Sequence, residues 1–178
     1  LVGEMKRALD VPTEIHAGKD IPFLSETPWL IGSSIKENIL LDKPFNEEQF
    51  NRALRLSQLA DDVKELPDGV ETFIGENGQT VSGGQRTRIA LARCIYQDND
   101  TLVLDDPLSA LDLKVADRIM SEAICGDLKH KTRIIATHAI HNLKYADHIY
   151  ILDHGKIVFQ GSYQDVQLSP IYNEFKQV

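Results

Sequence analysis

The stretch Val81 to Asp112, VSGGQRTRIALARCIYQDNDTLVLDDPLSALD, sets a glycine pair at a helix start just ahead of an apolar strand that ends in two aspartates. Ser82 and Gln85 have the S-x-x-Q spacing of a capping box,. Gly83 and Gly84 then leave the first helical N–H groups uncovered by side chains, and a helix start bared in this way favours anions,. Thr101 to Leu104 is an unbroken apolar run of the kind a parallel strand buried on both faces requires,. Asp105 and Asp106 follow where such a strand emerges, at the edge where α/β sheets place ligands,. Carboxylates there can hold Mg²⁺ and orient water.

The chain has 178 residues, enough for one domain or for one domain split into two lobes around a shared sheet,. Its 19 basic and 27 acidic side chains leave a net charge of −8, which argues against sequence-independent binding to a nucleic-acid backbone,. Cys94 and Cys125 are too few for a disulfide framework and fall in segments that read as helical core, which fits a reduced cytosolic setting,. No apolar run approaches the roughly 20 residues of a membrane-spanning helix, and no signal-peptide pattern opens the chain,. Membrane contact is therefore expected only through another polypeptide segment. No internal repeat or low-complexity linker marks a boundary.

Leu1 to Leu9 has helical spacing, and Asp20 to Ser25 reads as a short strand despite Pro22,. From Ser33 to Ile95 the pattern is mainly helical, with Glu47 and Glu48 in a first turn where the helix dipole favours anions,. In the helix that Ser82 opens, Ile89, Ala92, Ile95 and Tyr96 can form one buried stripe,. Leu113 to Cys125 reads as an amphipathic helix closed by Gly126,. Arg133 to Thr137 is another apolar strand, with His138 at its C-terminal end. HIYIL and KIVFQG flank Asp153-His154-Gly155 as a hairpin, and short helix broken at Pro170 completes the chain,. The expected fold is α/β: a mainly parallel sheet in a core lobe (1–29 and 98–178), an inserted helical lobe (30–97), and a C-terminal hairpin with short helices.

These residues resemble the nucleotide-binding domain of ATP-binding-cassette (ABC) proteins, with VSGGQ as the signature motif, TLVLDD as Walker B and SALD as the D-loop. The three in this order within about thirty residues form a specific pattern. The expected fold is then the P-loop NTPase core of that family, and ATP with Mg²⁺ the expected cofactors. The resemblance implies that Asp105 holds Mg²⁺ through water. It places Asp106 where strongly hydrolysing members have a glutamate base, and His138 at the switch histidine that contacts the γ-phosphate. Ser82, Gly83, Gly84 and Gln85 would bind ATP held on an opposite domain, with Ser109 and Asp112 in the D-loop. Asp106 is one methylene short, a retraction of about 1.5 Å, enough to weaken a base that must reach its water.

Glu26 stands where the family's Q-loop usually has glutamine. Two readings stay open: a carboxylate that still meets Mg²⁺, adding negative charge beside Asp105 and Asp106, or a solvated loop acid. Glu76, in TFIGENG, resembles an exporter loop near the membrane domain's coupling helices, and a plain acidic loop is the alternative. No G-x-x-x-x-G-K-[ST] phosphate loop occurs in the sequence, and LVGEMKRAL resembles the helix that follows one,. The 178 residues alone are therefore expected to be inactive.

The segment PWLIGSSIKENIL, the aspartate at the base position and the intact signature look most like the first nucleotide-binding domain of a C-subfamily, multidrug-resistance-protein type exporter. That implies a head-to-tail partner domain, transmembrane domains in the same transporter, and the cytoplasmic face of a membrane. A soluble ABC ATPase of DNA repair or translation and a regulatory domain of a channel-like member are the rival readings. His16, His130, His141, His148 and His154 make no metal spacing and are assigned no role.

Overall fold

The structure, a computed structural model, describes residues 21–175. The segment Leu1 to Leu9, expected as helix, lies outside the described residues. Among the described residues, three parallel strands form the sheet in the order β1 (Phe23–Leu24), β2 (Thr101–Asp105), β3 (Thr132–Ala136). Leu24 pairs with Leu104, and Asp105 with Ala136, so the strands end at one common edge. Of the strand expected over Asp20 to Ser25, Asp20 lies outside the described residues, and in the rest the pairing with β2 covers Phe23 and Leu24.

Between β1 and β2 run four helices: α1 (Ile35–Leu40), α2 (Glu47–Leu56), α3 (Ala60–Glu65) and α4 (Gly83–Tyr96). Ser34 and Glu37 close a capping box on α1, and Asn46 caps α2 through Gln49 N–H. The long helical pattern around residues 46–66 is broken after Leu56, where Gln58 takes a left-handed φ of 58°. Helix α4 is buried nearly all round from Ile89 to Tyr96, wider than the stripe that spacing suggests, because α1 and α2 both pack on it.

After β2 comes α5 (Leu113–Arg118), which runs on as π-helix over Ile119–Asp127. Gly126 lies within this turn rather than closing an α-helix at Cys125. A Cβ there would stand 2.8 Å from the Ser121 carbonyl oxygen, so the wide turn needs a glycine,. The expected hairpin is present as β4 (Ile149–Asp153) and β5 (Lys156–Gly161), joined through His154 and Gly155, both at positive φ,. Two short helices follow, α6 (Tyr163–Leu168) and α7 (Pro170–Phe175), the second opening on its proline,.

One continuous apolar core joins β1 and β2 to α1, α2, α4 and α5, with Leu24, Ile39, Leu56, Leu91, Leu104 and Ile119 almost fully buried. A smaller cluster of Ile149, Val166 and Tyr172 sits under the hairpin. The described fold is mixed α/β with a parallel sheet, the inserted helices and the antiparallel hairpin, as the sequence pattern implied.

Candidate ATP site and signature helix

The common strand edge gathers Glu26, Asp105, Asp106 and His138: two residues beyond β1, the last residue of β2 and its successor, and two beyond β3. Asp106 is buried and adopts a left-handed φ of 44°, a region in which a short Asp is better tolerated than most residues,. Its N–H donates to the Ala136 carbonyl at 2.8 Å, which turns the chain across the end of β3.

Both Asp106 carboxylate oxygens are engaged within the chain. Thr137 Oγ1 donates to Oδ1 at 3.1 Å, and His138 Nδ1 lies 3.0 Å from Oδ2. The Thr137 hydroxyl in turn accepts Ala139 N–H at 3.1 Å, so its own proton is free to point at the carboxylate,. His138 remains 81% exposed while Asp106 is 10% exposed at its side chain: the imidazole is presented outward on a sheltered acid. The sequence pattern marks Thr137 only as the end of a strand. Its place directly before the histidine was the available signal. Ser109 closes the D-loop by donating Oγ–H to the Asp106 carbonyl at 3.0 Å.

Asp105 is half-buried, and among the described residues no hydrogen bond or ion pair engages its carboxylate. Glu26 is exposed at the same edge, without a hydrogen bond to either aspartate. Asp112 has a local task as N-cap of α5, accepting from Lys114 N–H and Val115 N–H at 3.1 Å each,.

The signature residues form the capping box that their spacing predicts: Gln85 N–H donates to Ser82 Oγ at 3.1 Å and Ser82 N–H to Gln85 Oε1 at 3.0 Å. A Cβ built on Gly83 meets nothing within 4 Å, whereas one on Gly84 would stand 3.1 Å from the Ala110 carbonyl oxygen. Gly83 therefore faces open space, and Gly84 lets the D-loop pack directly on the helix start.

Arg93, on α4, is buried without a carboxylate partner among the described residues, a role that the sequence did not reveal. Its Nε donates to the Asn38 carbonyl at 2.7 Å, one terminal nitrogen to Asn38 Oδ1 at 3.1 Å and the other to the Trp29 carbonyl at 3.1 Å. Burial pushes its guanidinium below the ordinary arginine range,. Burial likewise pushes the neighbouring Cys94 thiol up to about 12, with the Arg93 charge opposing. Cys94 and Cys125 are both free thiols.

The donor set suits a nucleotide phosphate with Mg²⁺. Gly83 leaves first-turn N–H groups open to an anion, and Asp105 offers a carboxylate that no other described residue engages,. Among the described residues no group of three or more His, Cys, Asp or Glu could hold a metal by itself. Mg²⁺ suits such a place, since it is usually held by one or two carboxylates together with phosphate oxygens and water.

The ABC transporter family profile matches residues 3–109. This chain belongs to the ABC transporter family. It is 41% identical over 150 residues to a multidrug resistance protein of Leishmania tarentolae, covering 84% of this chain and 10% of that one. It is 39% identical over 158 residues to bile pigment transporter 1 of Saccharomyces cerevisiae, covering 87% and 10%. With ATP-binding cassette sub-family C member 4 of Homo sapiens it shares 40% over 151 residues, covering 85% and 11%. The chain thus spans about a tenth of the length of these curated relatives. Among solved structures it is similar to a bacterial Atm1-family ABC exporter with ATP bound, with a TM-score of 0.82, 28% identity, and coverage of 88% of this chain and 28% of that one. It is an ABC-type ATP-binding domain, similar to those of C-subfamily exporters. Among the described residues no helix is long and apolar enough to cross a membrane.

Proposed function

We propose that this ABC domain belongs to a C-subfamily exporter, works at the cytoplasmic face of a membrane beside transmembrane domains, and pairs head to tail with a second nucleotide-binding domain. In this reading its own site hydrolyses slowly and its signature completes the partner's site. Support for the exporter comes from relatives named as a multidrug resistance protein and a bile pigment transporter, 41% and 39% identical, and from the similarity to a solved ABC exporter. The observation that carries the asymmetry is Asp106: a base one methylene short, with both oxygens engaged by Thr137 and His138.

When bound, MgATP supplies the phosphoanhydride bond and the charge of the metal. Asp105 would hold the metal through water. Asp106 would orient the attacking water from a carboxylate that is one methylene short and already shared with Thr137 and His138, which makes it a poor base,. His138, exposed on its sheltered acid, would reach the terminal phosphate. The first-turn N–H groups behind Ser82 and Gly83 would bind the phosphate of ATP on the partner domain. Glu26 joins this edge as a further carboxylate, where a second metal contact and a solvated acid remain the two roles to separate. Ser109 holds the D-loop to Asp106 and Asp112 fixes the helix beyond it, which would set the angle at which the D-loop meets the partner.

The test is Asp106→Glu in the full-length protein. Single-turnover hydrolysis at this domain's own site is expected to rise by about tenfold or more, since the longer side chain restores reach. An unchanged rate contradicts the assignment of slowness to Asp106.

A further inference from the structure

Asp62, on α3, is a residue to which neither the sequence pattern nor the site chemistry assigns a task. Its carboxylate collects donors from two residues of the signature helix. Gln85 Nε2 donates to Oδ1 at 3.1 Å; Arg88 donates one terminal nitrogen to Oδ2 at 2.6 Å and the other to Oδ1 at 2.9 Å. The pair is sheltered, with side-chain exposures of 24% for Asp62 and 13% for Arg88.

The first of these bonds matters because Gln85 is the far half of the capping box. Its Oε1 accepts Ser82 N–H at 3.0 Å, so its amide can serve the box only in the orientation that aims Nε2 at Asp62. Rotating the amide by half a turn would set an N–H donor against Ser82 N–H and an oxygen against the Asp62 carboxylate, and both contacts would be repulsive. Arg88 meanwhile fixes Asp62: the same guanidinium donates to the Gln58 carbonyl at 2.5 Å, in the break between α2 and α3. Gln58, at a left-handed φ of 58°, presents that carbonyl to Arg88 of α4.

We propose that Asp62 is a positioning residue for the signature motif: through Gln85 it holds the Ser82 cap, and so the bared N–H groups beside Gly83, in the geometry that receives a phosphate. The proposal rests on the reading that the signature contacts a partner's ATP. Asp62 would act through Gln85, with its own carboxylate occupied by Gln85 and Arg88. Its negative charge is matched by Arg88, so it does not repel an anion at the helix start.

The test compares Asp62→Ala and Asp62→Asn in the full-length protein. Without nucleotide, hydrogen exchange at the Ser82 amide is expected to speed up about three- to tenfold in Asp62→Ala, the weight of one hydrogen bond. The ATP concentration for half-maximal turnover should rise by a similar factor, with turnover at saturation largely kept. Asp62→Asn still offers Gln85 an acceptor and should restore most of both effects. An unchanged Ser82 exchange rate in Asp62→Ala overturns the proposal, as does an Asp62→Asn variant no better than Asp62→Ala. Faster exchange with an unchanged half-maximal ATP concentration overturns instead the reading that the signature serves ATP. Should Asp62→Ala not fold, Asp62→Leu with Arg88→Met avoids an unpaired sheltered charge. The same acceleration at Ser82 is then required.

Discussion

The Arg93 guanidinium lies over the Trp29 ring, 4.2 Å from its centroid, while also donating to the Trp29 backbone carbonyl. One side chain of the signature helix therefore fixes both the face and the backbone of the segment that follows Glu26. Asn38, fully buried, completes the lock by accepting Ile31 N–H and donating to the carbonyls of Ile31 and Ser34.

Arg93→Lys should fail to replace this arrangement, because one ammonium cannot match a planar fork that serves three acceptors and an aromatic face. A loss of about 2–3 kcal/mol in the local opening free energy of α1 and α4 is expected, from hydrogen bonds of a charged donor left unmade. Native-state hydrogen exchange at the amides of both helices measures it. A loss below about 0.5 kcal/mol would show the network to be dispensable.

What the sequence revealed and what it hid divide along the range of the interactions. The Ser82–Gln85 capping box, the buried run into Asp105 and the His154–Gly155 turn are set by neighbours a few residues apart, so pattern and spacing suffice. Convergence of Asp106 and His138 followed from strand-end logic and the family resemblance. Arg93, Asp62 and the hydroxyl of Thr137 act across 55, 26 and 31 residues of chain, and a basic, an acidic and a hydroxyl side chain carry no periodic signal. The π-turn over Ile119–Asp127 was hidden for a different reason: its residues have good α-helical spacing, and only the close approach at Gly126 and Ser121 separates the two.

Cys94 makes the domain sensitive to alkali. Its folded-state thiol sits at about 12 against an ordinary value of 9.0, so between those limits the native state binds more protons than the unfolded state. Stability should be unaffected below about pH 9 and fall as pH rises above it. Opening free energies of α4 measured from about pH 8 to pH 11 should decline. Cys94→Ala should remove that part of the decline, and an identical slope in the variant would contradict the assignment.

The two signature glycines should respond differently to a methyl group. Gly83→Ala meets open space and should be neutral, or stabilising by up to about 0.5 kcal/mol,. Gly84→Ala must move the Ala110 carbonyl by a few tenths of an ångström, and is expected to cost about 1 kcal/mol,. Its effect should reach Asp106 through Ser109, and appear as faster hydrogen exchange across residues 106–112. Equal behaviour of the two variants would mean that the D-loop yields freely.

The most direct test of the central claim, that this signature completes a partner's ATP site, is Gly83→Asp in the full-length protein with nucleotide labelling and turnover measured together. The added carboxylate projects into open space, so the fold should survive, while an approaching phosphate meets like charge,. The account predicts lost ATP turnover with labelling at this domain's own nucleotide site largely retained. Abolished labelling at that site with turnover persisting would contradict it, because the signature would then act on its own domain's nucleotide.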